Sequence, residues 1–432
     1  MGKSMAAIIL IFFLVTLAWV VLGTSVNLHT WNADHRLHDE VSGLWGSPQM
    51  QLSPELTFTW QETKTVEETL TDPDTLEKKI VTRKRQVWIE KPVILDSSEI
   101  NVDLQLDHRK KGLLWYSTYA VDFGGNFSYI HDEEREGFLI ITYRFPTTHV
   151  SYVDFYFDVD GKQDSKMVPI AEDGTNMVRE RLEVQKGVVV PFKIGYRSRG
   201  LDRWRYSFGH NINSVKNFKL AMTTDFPDID FSQGTVSPSS KEETAEGWRL
   251  EWAFTSLISG LQIGMEMPRK INPGPLAAKI SYFAPVSLGF FFVWMFVITL
   301  LEKVRLHPMN YLFLGAAFFA FHLLFSYTVD HIDLIPAFLL ASGVSVFLVV
   351  SYLRLVVGMR FAALEAGVSQ LIYLVFFSYS HFLEGVTGLI ITVGSIVTLF
   401  ALMQLTGRFN WDERFQGMGR SSSAMTTAPD AR

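Results

Sequence analysis

The apolar runs of this 432-residue chain sit at its two ends. One is Met5–Val26, and five more crowd the last third, after Lys279. A helix needs about 20 mainly apolar residues to cross the hydrocarbon core of a bilayer. Backbone polar groups find no partner there, so spanning segments are helices or closed barrels. Six segments qualify as helices: Met5–Val26, Tyr282–Leu301, Met309–Val329, Leu334–Leu353, Phe361–Ser378 and Val386–Leu405. The layout predicts a membrane protein with a large exported domain between one N-terminal transmembrane helix and a C-terminal bundle of five.

Basic residues in short loops set orientation, because Lys and Arg are retained on the cytoplasmic side. Lys3 precedes the first run, Lys303 and Arg305 follow the second, Arg354 and Arg360 follow the fourth, and Arg408, Arg414 and Arg420 follow the sixth. The opposite loops, Asp330–Asp333 and Ser380–Gly385, contain neither Lys nor Arg. Both termini are expected in the cytoplasm. The expected domains are an anchor over 1–26, a periplasmic domain over 27–280, a bundle over 281–405 and a partly disordered cytoplasmic tail over 406–432. The alternative for the first run is a signal peptide cleaved near Gly23-Thr24-Ser25, although the run is long for one.

Residues 27–280 read as mostly β. The stretches Gln51–Trp60, Arg85–Ile89, Ile100–Leu106, Phe138–Tyr143, Val150–Asp158 and Phe218–Thr224 alternate or are rich in β-formers, and Asp160-Gly161 is a hairpin-turn signal. The charged stretch 62–79 reads as the tip of a long hairpin. The basic run Lys78, Lys79, Arg83, Lys84 and Arg85 is expected to pair across strands with Glu67, Glu68, Asp72, Asp74 and Glu77. Trp31–Leu44 reads as helical. The absence of cysteine removes disulfides, thiol nucleophiles and Cys-based metal sites. A net charge of −6 gives no sign of a nucleic-acid partner.

The most specific stretch is Arg305-Leu-His-Pro-Met-Asn-Tyr-Leu-Phe-Leu-Gly315, followed by Phe321-His-Leu-Leu-Phe-Ser326 and Asp330-His331. It resembles the CreD family of bacterial inner-membrane proteins, which carries Leu-His-Pro-x-Gln-Tyr-Leu-x-x-Gly, then Phe-Tyr-Leu-Leu, then Ser-Glu-His. His307, Pro308, Tyr311 and Gly315 match; Asn310, His322 and Asp330 replace the family's Gln, Tyr and Glu. Asp34-His-Arg36, Trp45-Gly-Ser-Pro-Gln49, Arg109-Lys-Lys-Gly112, Thr224-Asp-Phe-Pro227, Gly247, Trp252 and Thr406-Gly-Arg-Phe-Asn-Trp411 extend the likeness. The resemblance implies a place in the Gram-negative inner membrane, in settings linked to two-component signalling and envelope integrity.

Three groups of residues are candidates for chemistry. Arg197, Arg199, Arg203 and Arg205 would line one face of a hairpin turning at Gly200–Asp202. They would either clamp phosphate or carboxylate groups or form an ordinary solvated face. Asp330, His331 and Glu384 fall on the two outward loops and would form an acidic–imidazole site if the loops adjoin; a hydrated interface is the plainer reading. Glu365, Ser369 and Tyr373 recur every four residues along the fifth run and would form an intramembrane polar face, serving as helix glue or as a path. His307-Pro308 reads as a helix entry. There is no Gly-x-Ser-x-Gly, His-Glu-x-x-His, P-loop or EF-hand motif, and no cofactor is expected. The favoured reading is a non-enzymatic envelope protein whose β domain binds or senses a lipid, a cell-wall component or a partner protein. The alternatives are a membrane-embedded enzyme for a lipid-linked substrate, centred on Asp330, His331 and Glu384, and a transporter using the Glu365 face.

Overall fold

The computed structural model describes residues 2–407 except 72–77, 113, 149, 164–167, 173, 210–212 and 384. Two compact units emerge: Met1–His35 with Ile271–Arg432, and Arg36–Lys270. The first helix, α1, runs unbroken over Gly2–Trp45. The Trp31–Leu44 segment is therefore the continuation of the first apolar run. Nothing in that sequence breaks a helix until Gly46, at φ +110°, and Pro48 stop it.

The unit Arg36–Lys270 is β-rich, as the alternation predicts. Its strands are β1 (Gln49–Leu52), β2 (Glu55–Thr71), β3 (Lys78–Val93), β4 (Ser97–Lys111), β5 (Leu114–Ile130), β6 (Gly137–Arg144), β7 (Val153–Val159) and β8 (Lys162–Gln163). They continue with β9 (Ile170–Glu172), β10 (Thr175–Val184), β11 (Val189–Leu201), β12 (Arg203–Ser207), β13 (Asn213–Thr224), β14 (Ser240–Glu243), β15 (Trp248–Ser259) and β16 (Ile263–Glu266). They form an eight-stranded sheet in the order β14-β15-β13-β4-β5-β11-β7-β8, a five-stranded sheet β3-β2-β6-β10-β9 and a three-stranded sheet β1-β12-β16. Most neighbours are antiparallel, but β4 meets β13 in parallel, with Ser98 opposite Phe218 and Leu104 opposite Thr224.

Period-2 alternation drives this packing. On β4, Ile100, Val102 and Leu104 point inward, and on β11 so do Phe192, Ile194 and Tyr196. They join Phe58, Phe123, Tyr143, Trp204, Phe218 and Trp252 in one core drawn from all three sheets. Phe123 stacks on Tyr196 and Phe127 on Phe192, each at 5.2 Å between ring centroids. At the core's centre lies fully buried Gln51. Its amide oxygen accepts from the Tyr143 hydroxyl at 2.7 Å and the Tyr196 hydroxyl at 3.1 Å.

β2 and β3 form the long hairpin predicted around the charged stretch. Its register sets Glu67 opposite Thr82 and Lys64 opposite Arg85, so the expected acid–base pairs are not directly across from one another. Asp72, Asp74 and Glu77 lie outside the described residues. Asp160 and Gly161, both at positive φ, make the β7–β8 turn that the Asp-Gly signal predicts.

In the other unit, six helices among the described residues are long and apolar enough to cross a membrane. After α1 come α2 (Pro273–Leu301), α3 (Pro308–Thr328), α4 (Leu334–Val357), α5 (Phe361–Phe382) and α6 (Thr387–Thr406). Interdigitated aromatics fill the interior, with Phe291 against Phe318 at 4.6 Å and Phe321 edge-on to Phe338 at 5.6 Å. Helix α5 departs from regular α geometry, being wound as a π-helix over Phe361–Gly367 and again over Leu371–Phe376.

Candidate ligand groove in the β domain

The solvent face of the eight-stranded sheet is polar by the same alternation that makes its other face apolar. In-register residues on neighbouring strands share a face. One row is Asp103, Asp122 and Arg197, across β4, β5 and β11; the next is Gln105, Ala120 and Arg199. Over this floor lies a groove of about 820 Å³, rimmed by Gly43–Gly46 at the end of α1 and by the loop preceding β7. A smaller hollow of about 290 Å³ adjoins it, sharing Trp45, Gln105, Ala120 and Arg199 and adding Arg109 and Asp225.

The charges on this floor are partly spoken for. Arg197 pairs with Asp154 on β7. The Gln105 amide donates to Asp103 at 3.2 Å. Arg109 holds Asp107 at 2.5 Å and lies over the Trp45 indole at 5.1 Å. Asp225 accepts the Leu106 backbone N–H at 2.8 Å. Arg199 is exposed and makes no side-chain ion pair or hydrogen bond with the described residues. Its guanidinium thus lines the groove without an ion pair among the described residues. Nearby, burial and the Asp122 charge together raise the Tyr156 phenol above its ordinary value.

The rim is fixed by close packing. A Cβ on Gly46 would fall 2.2 Å from the Arg199 carbonyl oxygen, so only glycine lets α1 end there. The Gln49 amide donates to that same carbonyl at 2.8 Å and to the Ser198 hydroxyl at 3.1 Å. The Trp45–Gln49 motif thus pins the rim onto β11. Earlier on α1, His38 meets Asp202 at 2.9 Å and Glu40 meets Lys111 at 2.8 Å.

The predicted four-arginine hairpin is corrected. Arg197 and Arg199 end a strand of the eight-stranded sheet, whereas Arg203 and Arg205 begin a strand of the three-stranded one. Asp202, at φ +64°, turns the chain from one sheet to the other. Arg205 lies instead beside Glu266 at 3.7 Å. Residues not singled out from the sequence also build the groove, Asp103, Gln105 and Asp122, beside Trp45 and Arg109 from the stretches that carry the family likeness. The signal was the polar half of the alternating run Ile100–Leu106.

In the membrane bundle, Asp330 and His331 occupy the turn after α3, and Glu384 lies outside the described residues. Burial raises the Asp330 carboxyl, against the charges of His29 and His331, which lower it. His29 on α1 went unnoticed in the sequence because it lies just past the apolar run. No group of three or more His, Asp or Glu among the described residues is arranged to hold a metal ion.

The α5 candidates separate by partner. Ser369 bonds back to the Glu365 carbonyl, Tyr373 donates to Thr398 on α6 at 3.1 Å, and Gln370 donates to Ser345 on α4 at 2.7 Å. Winding as a π-helix rotates positions that a regular helix would align. His307 caps α3, its Nδ1 accepting the Met309 N–H at 3.2 Å, and Pro308 occupies the first turn. Tyr311 packs edge-on against Phe292 at 5.3 Å, and Gly315 faces Val15.

The family model described as inner membrane protein CreD matches residues 2–412. No curated protein matches the sequence. Among solved structures, the chain is similar to a candidate nutrient-binding protein of Legionella pneumophila, at 12% identity and a TM-score of 0.31, covering 57% of this chain and 96% of that one. It is also similar to an M1 zinc metallopeptidase of Deinococcus radiodurans, at 6% identity and a TM-score of 0.23, covering 40% of this chain and 42% of that one.

Proposed function

This chain belongs to the CreD family of inner membrane proteins, and on that footing we propose that its β domain lies in the periplasm and binds an anionic, hydroxyl-rich envelope component in the groove beside Trp45. Both termini are cytoplasmic in this reading, supported by the placement of Lys3, Lys303, Arg305, Arg354 and Arg360. The protein acts as a receptor within the envelope-integrity response, and no bond is made or broken in the groove.

The observation that carries the proposal is Arg199. A guanidinium without an ion-pair partner among the described residues, on the floor of a groove of about 820 Å³, is a ready site for a carboxylate or phosphate. Asp103, Asp122 and Gln105 surround it with groups that bond hydroxyls and amides, and Trp45 offers a flat apolar surface at the rim. Together they suit a cell-wall saccharide bearing an acidic group.

The test uses the full chain in detergent with purified disaccharide–peptide fragments of cell wall, by calorimetry. Saturable binding weakened about tenfold or more by Arg199→Ala, as loss of a charge-assisted bidentate bond requires, is the expected result. Absence of binding, or binding indifferent to Arg199 and Asp103→Asn, would sink the proposal.

A further inference from the structure

In most helix interiors a Ser or Thr hydroxyl satisfies itself on the carbonyl four residues back. This bundle follows that rule at Thr328, Ser342, Ser369, Thr392, Ser395, Thr398 and Thr406. The buried hydroxyls of Ser281 and Ser287 on α2, Thr16 on α1 and Ser326 on α3 find no partner among the described residues. Thr16 and Ser326 form a group of four with two more unpartnered buried atoms that lie between them, Trp19 Nε1 and His322 Nε2, on side chains that are both 0% exposed.

These four residues share one seam. α1 and α3 run side by side in the same direction, with Val15 beside Gly315, Trp19 beside Phe319 and His322, and His29 within electrostatic reach of Asp330. The Trp19 and His322 rings meet edge-on at 5.3 Å. Ser326 lies one turn beyond His322 on the same face, and Thr16 one turn before Trp19.

The hydrogen-bond roles along the seam are fixed. His322 Nδ1 lies 2.9 Å from the Phe318 carbonyl oxygen. That oxygen can only accept, so in the neutral ring Nδ1 carries the proton and Nε2 presents a lone pair. Trp19 Nε1 can only donate. A donor without an acceptor thus neighbours an acceptor without a donor, with a hydroxyl above and another below. A buried polar atom left alone is destabilising, and the bilayer supplies nothing to relieve it. Water relieves all four, since it both donates and accepts.

We propose that α1 and α3 enclose a water-filled polar cleft, entered at the His29–Asp330 end, whose innermost proton acceptor is His322 Nε2. Its ligand is water and the proton that water delivers. An ionisable group at such depth marks a relay in the bundle, and the line His322, Ser326, Asp330 supplies the steps.

Because the chain has no cysteine, one introduced thiol is the only thiol. Ser326→Cys and Thr16→Cys are made in the full chain, in open membrane fragments, and treated with a small, permanently charged methanethiosulfonate. Phe347→Cys, at a 69% exposed position on α4, is the control. Only a thiolate in contact with water reacts, so Ser326→Cys should label more than about tenfold faster than the control. Adding His322→Phe should slow that labelling to the control rate. If Ser326→Cys and Thr16→Cys both accumulate normally and label no faster than Phe347→Cys, the seam is dry and the proposal fails. If only one variant accumulates, its labelling rate decides.

Discussion

Gln51→Leu isolates the polar centre of the β domain. The substitution nearly keeps the volume and removes the oxygen that accepts from Tyr143 at 2.7 Å and Tyr196 at 3.1 Å. Both phenols are at most 1% exposed, so solvent cannot replace the lost acceptor. Two stranded donors cost about 1–3 kcal/mol each, and removing a buried amide returns part of that. The net loss is about 2–5 kcal/mol. A unit spanning Arg36–Lys270 loses about 2–4 °C in Tm per kcal/mol, so the expected drop is about 5–15 °C. The assay is thermal unfolding of the full chain in detergent, followed by near-ultraviolet circular dichroism. Adding Tyr143→Phe to Gln51→Leu removes one stranded hydroxyl and should restore about 1–3 kcal/mol. A Gln51→Leu melt within about 2 °C of wild type, or no recovery in the double variant, would refute the reasoning.

Burial holds the phenols of Tyr119, Tyr143 and Tyr196 well above their ordinary value near 10. The folded state therefore keeps protons that the unfolded chain sheds, so stability is full below about pH 10 and falls above it, by up to about 1.4 kcal/mol per pH unit per group; alkaline denaturation midpoints would show it. Gly46→Ala should cost about 2 kcal/mol or more and abolish groove binding, because the new Cβ meets the Arg199 carbonyl at a positive φ; a melt and the binding assay check both. Gly315→Leu should drive a side chain into Val15, whose Cγ2 lies 3.2 Å from the would-be Cβ. The cost is about 1–3 kcal/mol of overpacking, read as lower abundance in the membrane. Cysteines introduced singly at His331 and at Lys303 should label from opposite sides of sealed vesicles; labelling from one side would overturn the assigned orientation.

The six apolar runs were legible because membrane crossing imposes a length that sequence alone displays. Strands such as Ile100–Leu106 were legible through period-2 burial. Sheet membership was not. Arg203 and Arg205 look like the return arm of Arg197 and Arg199, yet β12 joins β1 and β16, whose residues lie 150 positions before and 60 after it in rough terms of chain separation. Gly200–Asp202 signalled a turn correctly, but not whether the chain would double back or leave the sheet. The groove was half-legible: Arg199 was singled out, while its row-mates Gln105 and Ala120 come from distant strands whose register only the fold sets. The spacing of Glu365, Ser369 and Tyr373 showed a shared side of α5, but the partners taken, Thr398 by Tyr373 and Ser345 by Gln370, are set by packing that the sequence does not display.

The parallel pairing of β4 with β13 has a consequence for biogenesis. Residues 98–104 must wait for residues 218–224 before the middle of the eight-stranded sheet can close. Loop closure over that separation is slow, and synthesis delivers the earlier strand first. β4 and β5 can form their hairpin early, but one side of β4 then stays bare, with backbone groups ready to recruit a strand from any neighbour. A chain halted before Asn213 should therefore be more prone to aggregate than one halted after Ser259, and guarding that edge becomes a task for the cell's folding helpers.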